Sequence, residues 1–200
     1  MTKEEYQAQW TAEEQAFFQG WDFSHLDGRW EEDPLPWNYR EELEPYLNYR
    51  TVLLDMGTGG GEFLLSLNPP RGRTYATEGY FPNVELCRRR LPIHGIELRQ
   101  VFDDSDLPFE DGMFDLVINR DESYDPDEVR RILKPGGYFI TEQPGGRDHE
   151  RLVRFLLPDL PEDFRDELDL EHARRELEER EFTILKAMEA FRSRRFLDVG

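Results

Sequence analysis

A cluster of glycines follows an aspartate behind an apolar run, in the segment LLDMGTGGGEFL at residues 53–64. Gly57, Gly59 and Gly61 alternate with other residues, and Asp55 precedes the first of them by two positions. Glycine lets the backbone adopt dihedral angles that other residues resist, and it lets a ligand approach the main chain closely. A strand that ends in such a turn and opens a helix is therefore expected to bind a ligand.

A second acidic residue is placed where nucleoside-binding folds need one. Glu78 follows Gly57 by about 20 residues, at the end of the next apolar run, where a carboxylate can accept hydrogen bonds from two ribose hydroxyls. The glycine spacing, however, is D-x-G-x-G-x-G, which differs from the G-x-G-x-x-G turn of dinucleotide-binding folds. An NAD-type oxidoreductase is therefore the less favoured alternative.

The elements that must position these residues alternate between short apolar runs and helical stretches. Predicted strands cover residues 51–57, 73–79, 96–102, 114–120 and 137–143. Predicted helices follow Gly60 and cover Asn83–Leu91 and Asp127–Leu133. This βαβ alternation predicts a doubly wound α/β fold with a mostly parallel sheet.

The two ends of the chain are predicted to differ from this central pattern. Residues 1–50 are expected to form an N-terminal helical cap over a main domain at residues 51–200, with helices at Thr2–Gln19 and Asn38–Leu47. Towards the carboxyl end, helices are predicted near residues 148–157 and 170–180 and a sixth strand at 182–191. Aromatic cap residues are expected to close over the site or to hold cap and core together: Trp21, Trp30, Trp37 and Tyr39.

Four stretches, in order over residues 51–142, resemble the class I S-adenosylmethionine-dependent methyltransferases. They are the glycine turn, TYATEGY with Glu78, VFDDSDLPFEDGMFDLVINR at residues 101–120, and LKPGGYFI at residues 133–140. The chain is most similar to a bacterial branch of the family that acts on small molecules. The resemblance implies a Rossmann-like fold and S-adenosylmethionine as cofactor.

The resemblance also implies which residues contact that cofactor. Asp55 would lie near the cationic amino group, which an acidic strand end suits, and the glycines would form the floor. Asp103 would accept from the adenine amino group and Asp104 would contact the ring, although three nearby acids leave the choice between these two open. The full set of expected cofactor contacts is Asp55, Gly57, Thr58, Gly59, Gly61, Glu78, Gly79, Asp103, Asp104 and Asn119.

The acceptor side is expected beyond the fourth strand, in NRDESYDP at residues 119–126. Asn119 is present, but Arg120 and Asp121 replace the prolines of the N-P-P-Y motif that family members use for amide and base nitrogens. Methyl transfer needs a positioned acceptor and, for a hydroxyl, a base. Asn119, Arg120 and Glu122 are therefore the candidate catalytic residues, with Arg120 holding a carboxylate and Glu122 acting as base. The alternative is that Arg120 and Glu122 are surface loop residues.

Charge and composition restrict the partners. With 25 basic and 44 acidic residues, the formal net charge is −19, which repels polyanions. We expect a small-molecule acceptor and no binding to nucleic acid or membrane. The four histidines have no metal-ligand spacing, so no metal is expected. A single cysteine, Cys87, and the absence of an apolar leader predict a cytoplasmic protein.

Two further expectations concern the molecule as a whole. The family's sheet normally has seven strands whereas six are predicted here, so the chain is expected to be shortened. An unpaired strand edge favours association, and a homodimer is therefore possible. A non-catalytic module that binds S-adenosylmethionine and acts through a protein partner stays open as a second alternative.

Overall fold

The computed structural model describes residues 2–15, 19–21, 23–160 and 169–197. Its strands are β1 (Trp30–Glu32), β2 (Leu53–Met56), β3 (Thr74–Glu78), β4 (Ile96–Gln100), β5 (Phe114–Arg120), β6 (Leu133–Glu142) and β7 (Arg194–Phe196). Its α-helices are α1 (Lys3–Glu14), α2 (Tyr39–Leu43), α3 (Glu62–Ser66), α4 (Phe81–Arg90), α5 (Pro126–Ile132), α6 (Glu150–Leu156) and α7 (Leu170–Glu179).

The main sheet has five parallel strands in the order β4-β3-β2-β5-β6. Leu53 of β2 aligns with Thr74 of β3 on one side and with Leu116 of β5 on the other. The strand order therefore reverses between β2 and β5, and ligands of such sheets bind beyond the carboxyl ends of the strands at that point. The predicted doubly wound α/β fold is confirmed.

Helices cover both faces of the sheet, so its central strands are buried on both sides. On one face Leu53, Ala76 and Ile118 pack against α2, α3 and α4. On the other face Leu54 and Val117 pack against α5 and residues 107–109. All four residues of β2 are buried, which fixes the strand that ends in the glycine loop.

The sixth strand predicted over residues 182–191 is wrong. Residues 182–193 form no strand, and β7 instead pairs antiparallel with β1, Trp30 lying opposite Phe196. A strand needs a ladder partner, and the segment lies against α2, where Lys186 Nζ contacts Glu42 Oε1 at 2.7 Å. Phe182 packs against the core beside Phe139, whereas apolar side chains further along face solvent, Leu185 being 69% exposed.

The first 50 residues divide into two parts. Helix α1 begins with a capping box between Thr2 and Glu5, but all its residues are exposed. By contrast, Tyr39 and Leu43 of α2 belong to the core of the main sheet. The predicted helix at Thr2–Gln19 also covered residues 16–18, which lie outside the described residues. None of the described helices combines the length and the apolar character that a membrane crossing requires.

Candidate functional site

The glycine loop connects β2 to α3 at the point where the strand order reverses. Gly57, Gly59 and Gly61 have φ angles of +63°, +61° and +79°, a region that side chains with a Cβ resist. Neighbouring β3 holds the loop in place, because Thr58 N donates to Thr77 O at 2.9 Å and Gly57 N donates to Thr77 Oγ1 at 3.2 Å. The sequence therefore uses glycine here for both conformation and close approach.

Two side chains lie directly over this loop. A Cβ built on Gly57 would lie 2.4 Å from Glu122 Cγ, and one built on Gly59 would lie 3.2 Å from Trp21 Cβ. Trp21 comes from the N-terminal segment, whereas Glu122 follows β5. A ligand resting on the loop must therefore contact or displace an acidic and an aromatic side chain.

Helix α4 supports the loop from below. Cys87 Sγ donates to Gly59 O at 3.2 Å, and Arg90 donates to Gly60 O at 2.7 Å. Burial raises the pKa of the Cys87 thiol to about 12, so it stays protonated. These bonds satisfy two loop carbonyls and give Cys87 a structural role.

Asp55 lies at the end of β2 and is only 6% exposed. Thr58 Oγ1 donates to Asp55 Oδ2 at 2.8 Å. Burial raises the pKa of Asp55 to about 7, against the opposing effects of the Thr58 hydrogen bond and of Arg120. A cationic ligand would favour the charged form, so this carboxyl is suited to bind one.

Glu78 lies at the end of the next strand, β3, and is also buried. Its Oε1 accepts from Tyr80 N at 2.8 Å, and its Oε2 accepts from Asn83 Nδ2 at 3.4 Å. A carboxylate has about four acceptor positions, so these contacts orient Glu78 and leave acceptor capacity for a ligand. At the following residue, Gly79, a Cβ would lie 2.7 Å from Val101 O, which explains the glycine there.

The two acids after β4 differ in their surroundings. Asp103 is exposed, and its Oδ1 accepts from Ser105 N at 2.9 Å and Ser105 Oγ at 2.6 Å, hydrogen bonds that lower its pKa. Asp104 is half-buried and accepts from Ser123 Oγ at 2.5 Å. The structure therefore brings Asp104, and not Asp103, towards the loop after β5.

Asn119 is fully buried at the end of β5 and bonds to the protein itself. Its Nδ2 donates to Ser123 O at 3.1 Å, and its Oδ1 accepts from Gln143 Nε2 at 2.5 Å. Gln143 Nε2 also lies 2.9 Å from Glu122 O, and the Tyr39 hydroxyl lies 3.1 Å from Asn119 O. Asn119 and Gln143 therefore shape the loop after β5. Sequence reasoning missed Gln143, whose only signal is its place at the end of the fifth predicted strand.

A groove of about 580 Å³ lies beside this loop. Trp37 and Glu142 form part of its wall, and Trp37 Nε1 donates to Glu142 Oε2 at 2.6 Å. Arg120 enters it from the end of β5, with its guanidinium carbon 4.3 Å from the centre of the Phe63 ring. The groove is lined by Pro34, Leu35, Pro36, Trp37, Asn38, Tyr39, Arg40, Glu41, Phe63, Arg120 and Glu142. It thus pairs apolar and proline-rich walls with a few charged groups.

Acidic groups converge on the glycine loop. Glu122 belongs to the exposed loop after β5. Partial burial of its carboxyl and the negative charges of Asp104 and Glu78 all raise its pKa. Asp55 adds a further carboxyl beneath it. Within the described ranges, no cluster of three His, Cys, Asp or Glu side chains could hold a metal ion. Asp125, which follows this loop, accepts from Glu128 N at 2.9 Å and caps α5.

The residues present fit S-adenosylmethionine better than a dinucleotide. That cofactor carries a sulfonium and an ammonium, and buried or crowded carboxyls stabilise positive charge. A pyrophosphate would be repelled by the same groups. Of the cap tryptophans, Trp21 and Trp37 lie at the site, whereas Trp30 belongs to β1 and stacks on Arg194 at 4.7 Å.

Comparison with known proteins identifies similar methyltransferases. A family model described as a methyltransferase domain matches residues 54–141. The fatty-acid O-methyltransferase of Mycolicibacterium smegmatis is 32% identical over 149 residues, which cover 60% of this chain and 52% of that protein. The chain thus spans about half the length of this curated relative.

Solved structures share the fold. A methyltransferase candidate of Haloferax volcanii, in complex with the Trm112 methyltransferase activator, has a TM-score of 0.53 at 20% identity over 82% of this chain and 76% of its own. A S-adenosylmethionine-dependent methyltransferase of Thermotoga maritima has a TM-score of 0.51 at 19% identity over 70% of this chain and 68% of its own. Residues 54–141, which contain the glycine loop and both strand-end carboxyls, match a methyltransferase domain, and the sheet has the Rossmann-like fold of the class I S-adenosylmethionine-dependent methyltransferases.

Proposed function

We propose that this protein transfers a methyl group from S-adenosylmethionine to a small acceptor with an apolar body. The proposal depends on one observation. The acidic glycine loop after β2 and the groove beside β5 lie next to each other, at the point where the strand order reverses. When bound, the cofactor supplies an electrophilic methyl group on a sulfonium. Asp55 binds the ammonium and Glu78 accepts from the ribose hydroxyls. Asp104 lies on the adenine side.

The acceptor class is supported by the groove and by relatives. Leu35, Trp37 and Phe63 give the groove apolar walls, and its volume of about 580 Å³ is that of a small-molecule site. Relatives at 30–32% identity include the fatty-acid O-methyltransferase and the phthiotriol/phenolphthiotriol dimycocerosates methyltransferase of Mycobacterium tuberculosis. A net charge of −19 opposes nucleic acid and anionic membranes as partners.

We also propose that residues 1–50 form a cap over this site. Gly20 N donates to Asn83 Oδ1 at 2.6 Å, which ties the N-terminal segment to the helix beside Glu78. Trp37 ties a second part of it to β6 through Glu142. The cap would thereby limit water at the reacting atoms. A cytoplasmic location is also proposed, since Cys87 is the single cysteine and is free.

Release of S-adenosylhomocysteine in the presence of an acceptor panel tests the proposal. The panel contains carboxylic acids, alcohols, phenols and amines, and the product is identified by mass spectrometry. Gly59→Val should abolish turnover because its side chain would crowd the loop and Trp21. Gly28→Val is the matched control, since Gly28 also has a positive φ but has no atom within 4 Å of an added Cβ.

The wild-type protein and Gly28→Val should methylate the same acceptors. Binding of S-adenosylmethionine without any turnover on the panel would favour the non-catalytic binding module instead. Hydride transfer with NAD⁺ would favour the oxidoreductase.

A further inference from the structure

We propose that Arg120 is the specificity-determining residue for the acceptor, and that the acceptor is a carboxylic acid bound through its carboxylate. This inference rests on the proposed function and deepens it. It makes the reaction the formation of a methyl ester.

Arg120 is placed next to the glycine loop by the register of the sheet. Asn119 of β5 aligns with Met56 of β2, so the residues that follow them, Arg120 and Gly57, leave adjacent strands side by side. The positive charge of Arg120 acts on Asp55, where it opposes the rise in pKa that burial causes. A carboxylate bound by Arg120 would therefore lie beside the cofactor site.

The guanidinium of Arg120 contacts an aromatic ring but keeps its hydrogen-bond donors available. Its central carbon lies 4.3 Å from the centre of the Phe63 ring, a cation–π contact that restrains the group. Among the residues that the structure describes, its guanidinium forms no ion pair and no hydrogen bond, although it is only half-exposed. A planar fork held in this way is suited to bidentate binding of a carboxylate.

The other charged groups of the groove are already engaged. Arg40 donates to Ser66 O at 2.9 Å and to Ser66 Oγ at 2.5 Å. Glu142 accepts from Trp37 at 2.6 Å. The charge of Arg120 acts on Asp55 and Asp121, and Glu142 lines the same groove. None of these acids forms an ion pair with Arg120 in the described part of the chain. Arg120 is thus the basic group of the groove that remains available to a ligand.

The reaction with a carboxylate needs no base. A carboxylate oxygen attacks the methyl carbon, the new O–C bond forms as the C–S bond breaks, and the electron pair of that bond goes to sulfur. The negative charge of the acid and the positive charge of the sulfonium cancel, and no proton is moved. In this proposal Glu122 is therefore not a general base.

The test compares Arg120→Gln and Arg120→Lys with wild type on octanoate and 3-phenylpropanoate, and on octanol and 3-phenylpropanol as uncharged counterparts. Arg50→Gln is the control, because Arg50 also stacks on an aromatic ring, Tyr49, but lies exposed outside the groove. Thermal melting shows whether each variant folds. Affinity for S-adenosylmethionine is measured by calorimetry on the same samples.

We expect wild type to methylate the acids and not the alcohols. Arg120→Gln should raise KM for the acids about 10- to 100-fold, the loss typical of a charge-assisted hydrogen-bonded pair, with nearly unchanged cofactor affinity. Arg120→Lys should restore part of that loss and Arg50→Gln should match wild type.

Three results would overturn the inference. An equal loss of cofactor affinity in Arg120→Gln would show that Arg120 holds the carboxylate of the cofactor. Turnover of alcohols, phenols or amines but not of acids would reject the acid and leave methyl transfer intact. Failure of wild type to bind S-adenosylmethionine would reject the proposed function itself.

Discussion

The proposed cofactor side and the proposed acceptor side flank the point where the strand order reverses, and they are built differently. On the cofactor side, Asp55 and Gly57 belong to one short segment and Glu78 to the next strand, and all three depend on local turns. On the acceptor side, Trp37, Phe63 and Arg120 come from three distant parts of the chain. The cofactor side is dominated by carboxyl groups, whereas the groove has an available guanidinium.

This difference corresponds to a ligand that stays the same within the family, the cofactor, and one that varies, the acceptor. A cofactor that is the same throughout a family can be bound by contiguous motifs, because the same backbone turn serves each time. In the proposed function, the acceptor would be bound by side chains at strand ends and in the N-terminal segment, which can change without disturbing the loop. Substitutions on one side should therefore leave the other side's binding intact.

The largest effect is expected from Gly57→Ala. The new Cβ would lie 2.4 Å from Glu122 Cγ and would also require a φ of +63°. Calorimetry should show loss of S-adenosylmethionine binding by more than about 100-fold, since strain of about 1–2 kcal/mol adds to the collision. Gly112→Ala shares the positive φ, at +59°, but meets no atom within 4 Å, and should bind normally. Equal losses in both variants would mean that general destabilisation is the cause.

A smaller loss is expected from Glu78→Ala. Removal of its charge-assisted hydrogen bonds to the ribose should weaken cofactor binding by about 2 kcal/mol, or roughly 30-fold. Glu110→Ala removes an exposed carboxylate and serves as the control. Unchanged affinity in Glu78→Ala would reject the ribose contact.

Asp55 should make cofactor binding depend on pH. Because its folded-state pKa is about 7, it is largely neutral at pH 6 and charged at pH 8, so affinity for the cationic cofactor should rise several-fold across that interval. Asp55→Asn should bind more weakly and lose this dependence. A steep pH profile that survives in Asp55→Asn would assign it to another group.

The same carboxyl should make the fold less stable as pH rises from about 4 to about 7. Its pKa is raised from 3.8 to about 7, so the folded state binds more protons than the unfolded state between these values, and stability falls as pH rises through them. At pH 8 the free energy of unfolding of Asp55→Asn should therefore exceed that of wild type by on the order of 4 kcal/mol, and its melting temperature should be higher. Near pH 4 the two proteins should melt at similar temperatures. A lower melting temperature at pH 8 would contradict the assignment.

The smallest effect concerns self-association. The outer edge of β6 pairs with no other strand in the described part of the chain, and free edge groups favour pairing with a second copy. Sedimentation velocity should show weak, concentration-dependent dimerisation that Tyr138→Lys reduces, because a charged side chain on an edge opposes pairing. A strictly monomeric wild type would remove the expected homodimer. Neither result should alter cofactor binding, which depends on the other strands.

The sequence signals for the proposed cofactor side are local. Glycine spacing, an acid at a strand end and the βαβ alternation each follow from a few consecutive residues. The choice between Asp103 and Asp104 was not accessible in this way, because it depends on the conformation of one loop and on Ser123 across it.

Long-range contacts explain what the sequence did not show. Gln143 and Phe63 reach the site only because β5 and β6 and the start of α3 meet at one edge. Residues 182–191 have the apolar content of a strand, but no strand partner lies beside them among the described residues. Strand propensity alone does not create a ladder.

The most direct test of the account is calorimetry of the full chain with S-adenosylmethionine, S-adenosylhomocysteine and NAD⁺ at pH 8. The acidic loop around Asp55 and Glu78 should bind the two sulfur compounds with micromolar affinity, the cationic one more tightly, and should give no heat with NAD⁺. Binding of NAD⁺, or no binding of either sulfur compound, would contradict the central claim.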